Sequence, residues 1–333
     1  MTVRARIADV AQAAGVSTAT VSRALSKPEQ VGEETRERVM EAVRQTGYRI
    51  HSAARDLRQR RARSILILAP NLANTFFGRI FAAVQDEASV AGLTVQISDS
   101  RTNRDRLASL GYDGSADGII LLDGTLDPKL VNEWQLPMIQ LCEWNDAYNA
   151  PGLAIDNRAA ARLAVAHLAG LGHKQLLHVE GPRNNVLAAA RKRGFEEECA
   201  ARGANASVLP GDFTMESGAL AARAWAKMAD RPGAVFCASD ECAIGFISEV
   251  VRLGFAVPQD VSVIGFDDID FADRFLPGLT TIHQPRGELG RAAARELIAM
   301  ISDTKVRNWQ IRLIDVHLVA RASTSFSRRA GAG

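Results

Sequence analysis

From Ile7 the apolar residues fall at Ile7, Val10, Ala11 and Ala14, the three- and four-residue spacing of one helix face. Gly15 ends that helix, because a tight turn between crossing helices needs a residue tolerant of positive φ. Ser17 is placed to cap a second helix whose inward face is Val21 and Leu25. A third helix follows, with Glu33 and Glu34 in its first turn, Arg44 near its end, and Val39, Met40 and Val43 as its core contact. Gly47 stops it. His51 to Arg61 is short and basic, with Ala53, Ala54 and Leu57 among Arg55, Arg58, Arg60 and Arg61, and is marginal as an isolated helix.

From Ser64 the texture changes. Ile65 to Ala69, Leu93 to Ile97, Gly118 to Leu122, Met138 to Leu141, Gln175 to Val179, Ala234 to Cys237 and Val261 to Gly265 are short apolar runs with the length of buried strands. Helical segments at Phe76 to Ala91, Arg158 to Leu171, Val186 to Ala201 and Cys242 to Leu253 fall between them, and this alternation predicts parallel sheets wrapped by helices. So long an alternating stretch exceeds one sheet of the usual size, which predicts two similar lobes. In open parallel sheets ligands sit beyond the carboxyl ends of the strands, and between two lobes that region becomes a cleft. Gly111 and Gly114 interrupt Arg101 to Asp117, and the tail from Ser327 is expected to be disordered.

Composition narrows the class. A chain of 333 residues with 47% hydrophobic and 23% charged residues is an ordinary globular protein of roughly two domains. No apolar run approaches the ~20 residues needed to span a bilayer, and Asp9 and Gln12 interrupt the first helix, so neither a membrane span nor a secretory leader is expected. Cys142, Cys199, Cys237 and Cys242 form no CxxC pair and read as buried thiols of a cytoplasmic protein, with no metal site. The net charge of +2 hides a split: residues 1–63 carry 13 Lys or Arg against 7 Asp or Glu, while the remainder carries 27 against 31. A basic head on a mildly acidic body predicts a polyanion-binding module; the plainer reading is a solvated basic face.

The head's pattern sharpens this. On the second helix, opposite Val21 and Leu25, stand Thr18, Ala19, Ser22 and Arg23. Short side chains let a helix approach base edges, and one arginine can reach guanine or phosphate. That is the arrangement of a helix-turn-helix, with a plain three-helix packing unit as the alternative.

The body shows no signature of catalysis. There is no GxGxxG after a strand, no GxxxxGK[ST], no GxSxG and no HExxH, and the histidines are scattered. Asp267 and Asp268 are adjacent and so point different ways, which suits one ligand acceptor and one structural acid better than an acid–base pair. Residues at strand ends are the candidates for ligand contact. Asn74, Phe76 and Phe77 follow the first strand, Glu143 and Trp144 follow PMIQLC, and Arg191 lies about a turn into the helix after GPRNN. Ser239 and Asp240 follow AVFCA, with Asp240 read as a helix cap, and Asp267 follows VIGF; Asn71, Asn157 and Arg183 are weaker candidates. Carboxylates, an arginine and aromatic faces around one cleft suit a polyhydroxylated or heterocyclic ligand.

The run IADVAQAAGVSTATVSRAL, then Val31 to Tyr48, then AARDLRQRR, resembles the DNA-binding head of the lactose/galactose repressor family of bacterial transcriptional regulators. The likeness continues through IDN, LGHK, GDFT, SDE and IGFDDID to LTTIHQPR, and GDFT, AVFCASD and LTTIHQPR particularly resemble the cytidine-responsive branch. The resemblance implies that Thr18, Ala19 and Arg23 read operator bases and that Leu57 wedges into the minor groove. Ser22 joins the first group, and Ala54 and Arg58 flank the wedge. It also implies effector contacts at Arg191, Ser239, Asp267 and Gln284, and lobe crossings near Asp156, Gln284 and Leu313. Three departures stand out: the proline and asparagine usual before the hinge helix are replaced by Tyr48-Arg49-Ile50-His51; the full amphipathic helix usual over Arg101 to Asp117 is expected to be about a turn shorter; and Cys142 stands where relatives often carry an aspartate, so that either Glu143 takes over that contact or the contact is absent.

The expected fold is therefore an α-helical helix-turn-helix head plus an α/β body of two doubly wound parallel-sheet lobes, like the periplasmic binding proteins. The expected domains are 1–50 for DNA binding, 51–63 for hinge helix and linker, and 64–330 for effector binding and dimerisation. The expected function is that of a ligand-responsive repressor without enzymatic activity or cofactor, binding double-stranded operator DNA as a homodimer or higher assembly. A sugar or sugar derivative is the expected effector, since Trp144 can stack on a saccharide face, with a nucleoside second. A solute-binding protein and a sugar-active enzyme are the rival readings.

Overall fold

The computed structural model describes residues 5–48, 61–302 and 310–328. These fall into two compact units that divide after Arg61.

The first unit is three helices: α1 (Ile7–Ala14), α2 (Thr18–Ser26) and α3 (Glu33–Thr46). Gly15 takes φ 63° and turns the chain, and the Ser17 side chain caps α2 by accepting from the Thr20 amide at 3.1 Å. Arg38 on α3 donates to the Ala14 carbonyl at 2.7 Å, tying α3 to the negative end of α1. The core is Val10, Ala11, Ala14, Val21, Ala24, Val39 and Ala42, with Leu25 and Val43 packed on its margin. This corrects one expectation: Met40 is exposed, and Ala42 takes the inward place, because it lies three residues after Val39 on the same helix face.

The second unit holds two lobes. In the first, β1 (Ser64–Ala69), β2 (Thr94–Asp99), β3 (Gly118–Leu121), β4 (Met138–Leu141), β5 (Gly152–Ile155) and β11 (Ile311–Ile314) form a sheet of order β11-β5-β4-β3-β1-β2. All its pairs are parallel. β1, SILILA, is buried at every position because helices cover both faces of a central parallel strand. Those helices are α4 (Gly78–Val90), α5 (Arg104–Ser109), α6 (Pro128–Glu133) and α11 (Arg286–Ser302). A 3₁₀ turn at Thr75–Phe77 precedes α4, so the helix expected from Phe76 starts at Gly78. The 101–117 stretch yields only the six-residue α5.

In the second lobe, β6 (Gln175–Val179), β7 (Asn205–Leu209), β8 (Ala234–Cys237) and β9 (Ser262–Ile264) pair in parallel in the order β7-β6-β8-β9. Its helices are α7 (Asn157–Gly170), α8 (Val186–Ala201), α9 (Met215–Ala226) and α10 (Asp240–Arg252). The chain crosses between lobes three times: at Asp156, which caps α7; at Gln284, after β10 (Thr281–His283); and between β11 and β12 (His317–Val319). The last crossing is at Asp315 and Val316, just beyond the expected Leu313, which lies inside β11. β10 and β12 pair antiparallel and form the hinge strands. Ser327, expected in a disordered tail, donates its amide to the Leu171 carbonyl at 2.8 Å.

Candidate functional site

In the head, Thr18, Ala19 and Arg23 are exposed and Ser22 half-exposed along one face of α2. They line one recess of about 560 Å³ together with Lys27 and Gln30, which the sequence reading missed because both follow the helix. Of the expected hinge contacts, Ala54, Leu57 and Arg58 lie outside the described residues.

In the body, the carboxyl ends of the strands of the two lobes meet. Arg191, on the inner face of α8, is buried, donates from Nε to Asn157 Oδ1 at 2.9 Å and from Nη1 to the Ala238 carbonyl at 2.5 Å. Its guanidinium lies over the Phe266 ring at 3.7 Å and 5.5 Å from the centre of the Phe213 ring. Asp267 Oδ1 sits 4.0 Å from Arg191 Nη1 and accepts from Gln284 Nε2 at 2.7 Å. Burial pulls Arg191 down to about 10, still charged at neutral pH. Burial, helped by Asp240, pushes Asp267 up to about 7 despite Arg191 and Gln284. At 4.0 Å the guanidinium compensates only part of what desolvation costs.

From the first lobe comes Glu143, also buried, whose Oε2 accepts the Gly124 amide at 3.1 Å and whose Oε1 accepts from Asn185 Nδ2 at 2.8 Å. Burial raises its carboxyl above the usual range, and these two donors oppose the shift. Asp268 points away from the cleft: its carboxylate meets His283 at 2.7 Å and Arg321 at 2.8 Å. Burial works against its charge, yet those partners hold it below the usual value. The neighbouring aspartates therefore divide into one facing the cleft and one bracing the hinge.

Backbone strain gathers here. Among the described residues, Cys142 (φ 66°), Asn184 (φ 66°), Phe213 (φ 71°), Asp267 (φ 125°) and Asp268 (φ 53°) all carry positive φ at or beside the cleft. Such conformations persist where surrounding packing over-determines them, and they cluster at ligand sites. Gly181 allows one of these placements, since a Cβ there would lie 2.3 Å from the Phe213 ring.

The other candidates take less direct places. Ser239 caps α10, accepting from the Cys242 amide at 3.1 Å and donating to the Phe213 carbonyl at 2.9 Å, so its hydroxyl is already engaged. The cap expected of Asp240 is corrected accordingly: Asp240 is the first residue of α10, fully buried, and accepts from Thr281 Oγ1 and the Ile269 amide. Phe76 and Phe77 are buried core, edge to face with each other, while Asn74 caps the 3₁₀ turn and Trp144 is half-buried. Asn71 is half-buried and Arg183 exposed. Asn185, Phe213 and Phe266 went unread, although each adjoins a strand-end motif already singled out. All four cysteines are buried free thiols. Among the described residues no group of three His, Cys, Asp or Glu could hold a metal ion, and no helix is long and apolar enough to cross a membrane.

Comparison with known proteins agrees with this geometry. Residues 6–50 match the family described as bacterial regulatory proteins, lacI family, and residues 165–324 match the periplasmic binding protein-like domain. The chain is 36% identical over 329 residues to the HTH-type transcriptional repressor CytR of Escherichia coli (strain K12), covering 96% of each. Among solved structures, the lac repressor dimer bound to operator and the anti-inducer ONPF is 26% identical, with TM-score 0.83 over 97% of this chain and 100% of that one. The complex of the transcriptional regulator CelR with cellobiose is 28% identical, with TM-score 0.73 over 96% and 100%. The chain belongs to the lacI family of bacterial regulatory proteins.

Proposed function

We propose that this protein is a repressor that binds a two-fold-symmetric operator as a homodimer and responds to a small molecule held between the lobes of its body. The observation that carries the reading is the pairing, in one chain, of an exposed α2 face bearing Thr18, Ala19, Ser22 and Arg23 with a buried cleft built around Arg191. One helix-turn-helix covers little surface, so specific affinity calls for two copies and two half-sites. Residues 1–50 serve as the DNA-binding head, 51–63 as hinge and linker, and 64–330 as the effector-binding and dimerising body. In the hinge, Leu57 acts as a minor-groove wedge flanked by Ala54 and Arg58. Effector binding alters the angle between lobes and hence the separation of the paired hinges, without a catalytic step.

Within the cleft, Arg191, Asp267 and Glu143 orient the ligand, Gln284 and Ser239 hold the surrounding loops, and Trp144 with Asn74 lines the entrance. Phe76 and Phe77 support that wall from below. A sugar or sugar derivative fits these donors, acceptors and rings; the complex of the relative CelR with cellobiose supports this choice. A nucleoside is the second reading, supported by the likeness to CytR. Selection from a random DNA pool tests the regulator reading: the full chain should enrich a palindrome with half-sites about one helical turn apart. Sequence-independent, purely salt-sensitive retention would contradict it.

A further inference from the structure

Glu143 and Asn185 belong to different lobes, yet their side chains form a buried hydrogen bond of 2.8 Å across the cleft. The orientation of Asn185 is not free. Its Oδ1 caps α8, accepting from the amides of Leu187 at 2.9 Å and Ala188 at 3.0 Å, so its Nδ2 must face Glu143. Glu143 is fixed in turn by the Gly124 amide and by the positive φ of Cys142 before it. Among the described residues no lysine or arginine pairs with Glu143, so the Asn185 amide and the Gly124 N–H are the donors that hold its carboxylate.

We propose that the Glu143–Asn185 hydrogen bond is a ligand-exchangeable latch, which selects an uncharged effector bearing a hydroxyl or amino donor and rejects anions. The proposal rests on the cleft being the effector site. A ligand that parts the two residues must return to Glu143 the donor it removes, because a buried acceptor left bare is costly. A carboxylate or phosphate group brings no such donor, and it would meet the carboxyls of Glu143 and Asp267. Among the described residues, the buried guanidiniums beside these carboxyls are already engaged: Arg191 is bonded to Asn157 and the Ala238 carbonyl, and Arg286 to the Phe76 and Asp268 carbonyls. Sugar acids, sugar phosphates and nucleotides also carry hydroxyl donors for Glu143, so it is their anionic group, facing carboxyls while Arg191 and Arg286 are engaged elsewhere, that disfavours them against neutral sugars and nucleosides.

The latch is tested on the full chain without any ligand. Asn185→Asp keeps the oxygen that caps α8 but turns the donor into a second carboxylate. Amide exchange at Gly124 and residues 143–145, on the opposite lobe, should then quicken on the order of tenfold, the scale of one charge-assisted hydrogen bond. In the double variant Glu143→Gln/Asn185→Asp the bond can form with reversed polarity, the amide introduced at position 143 donating to the carboxylate introduced at position 185, and exchange should return towards the wild-type rate. Unchanged exchange in Asn185→Asp, or no recovery in the double variant, overturns the latch. The selection is tested by calorimetry with matched pairs, cytidine against cytidine 5′-monophosphate and ribose against ribose 5-phosphate. The neutral member should bind on the order of 100-fold more tightly, as like-charge juxtaposition implies; an anion binding within about tenfold of its neutral parent overturns the selection. Should the chain select no DNA sequence, the regulator reading falls while the variant arm still decides the latch.

Discussion

Replacing Arg191 with Met should destabilise the body by an amount that depends on pH. Methionine retains an apolar stem over the Phe266 ring but removes the charge, leaving Asn157 Oδ1 and the Ala238 carbonyl without that donor and Asp267 without the positive charge 4.0 Å away. Removing one partner from a buried charged cluster costs about 3–5 kcal/mol, because the remaining groups stay desolvated. Asp267 can relieve part of this by holding a proton. Its folded value is already raised to about 7, and losing Arg191, which pulls it down, raises it further. The sign follows from the shift. A carboxyl raised on folding contributes stability at low pH that is lost as pH rises through its folded value, and in the variant it stays protonated to higher pH. Above pH 7 wild-type Asp267 is ionised in both states and its loss of stability levels off, whereas in the variant, with its higher folded value, the loss continues. The cost of Arg191→Met should therefore grow by about 1 kcal/mol between pH 6 and pH 8, one titration unit being ~1.4 kcal/mol. Urea unfolding of both proteins at the two pH values measures it. A loss below about 1 kcal/mol, or one independent of pH, refutes the reasoning, since ionic cleft groups that matter must answer to both charge and proton.

Three further outcomes follow from the same physics. Arg23→Ala should cost about 1–3 kcal/mol on the selected operator and less on random DNA, by fluorescence anisotropy; equal losses would make Arg23 a phosphate contact only. If the proposed Leu57 wedge kinks the cognate duplex alone, Leu57→Ala should weaken operator binding far more than random-DNA binding, and equal weakening removes the wedge. His178, fully buried between Phe195 and Phe236, has an unpartnered Nε2 and is pushed by burial to about 4. Its neutral ring contributes stability above pH 6.5 that is lost as pH falls towards 4, roughly 3 kcal/mol in all, so His178→Phe should show a shallower acid slope in melting experiments.

Much of this architecture was readable in the residues, and the exceptions have physical causes. The α1–α2 turn was legible because Gly15 and Ser17 act locally, through φ and a capping hydroxyl, and neither depends on distant packing. The buried strands were legible because SILILA and its counterparts leave no polar face. Met40 misled because size was weighed above angular position: on a helix, the residue three after Val39 is its neighbour, and the small Ala42 occupies that place. Ser239 and Asp240 can each cap a helix, and only the register of α10 decides between them. Asn185 was not singled out, although an asparagine just ahead of a helix can cap it. Its second bond, to Glu143, joins residues 42 apart across the two lobes, a relation no local pattern carries. Asp267 and Arg191 were found because strand-end logic points at the cleft wherever the sheets are parallel, whereas nothing local in GDFT or VIGF marks the rings of Phe213 and Phe266 as facing that arginine.

The central claim is that the cleft and the operator-binding surface are energetically linked. The direct measurement is anisotropy titration of a labelled operator duplex with the full chain at fixed salt, with and without saturating neutral ligand from the sugar and nucleoside series. The account predicts that the ligand which binds the cleft shifts operator affinity by about 5- to 150-fold, and that operator shifts ligand affinity by the same factor. A ligand that saturates the cleft while leaving operator affinity unchanged would contradict it.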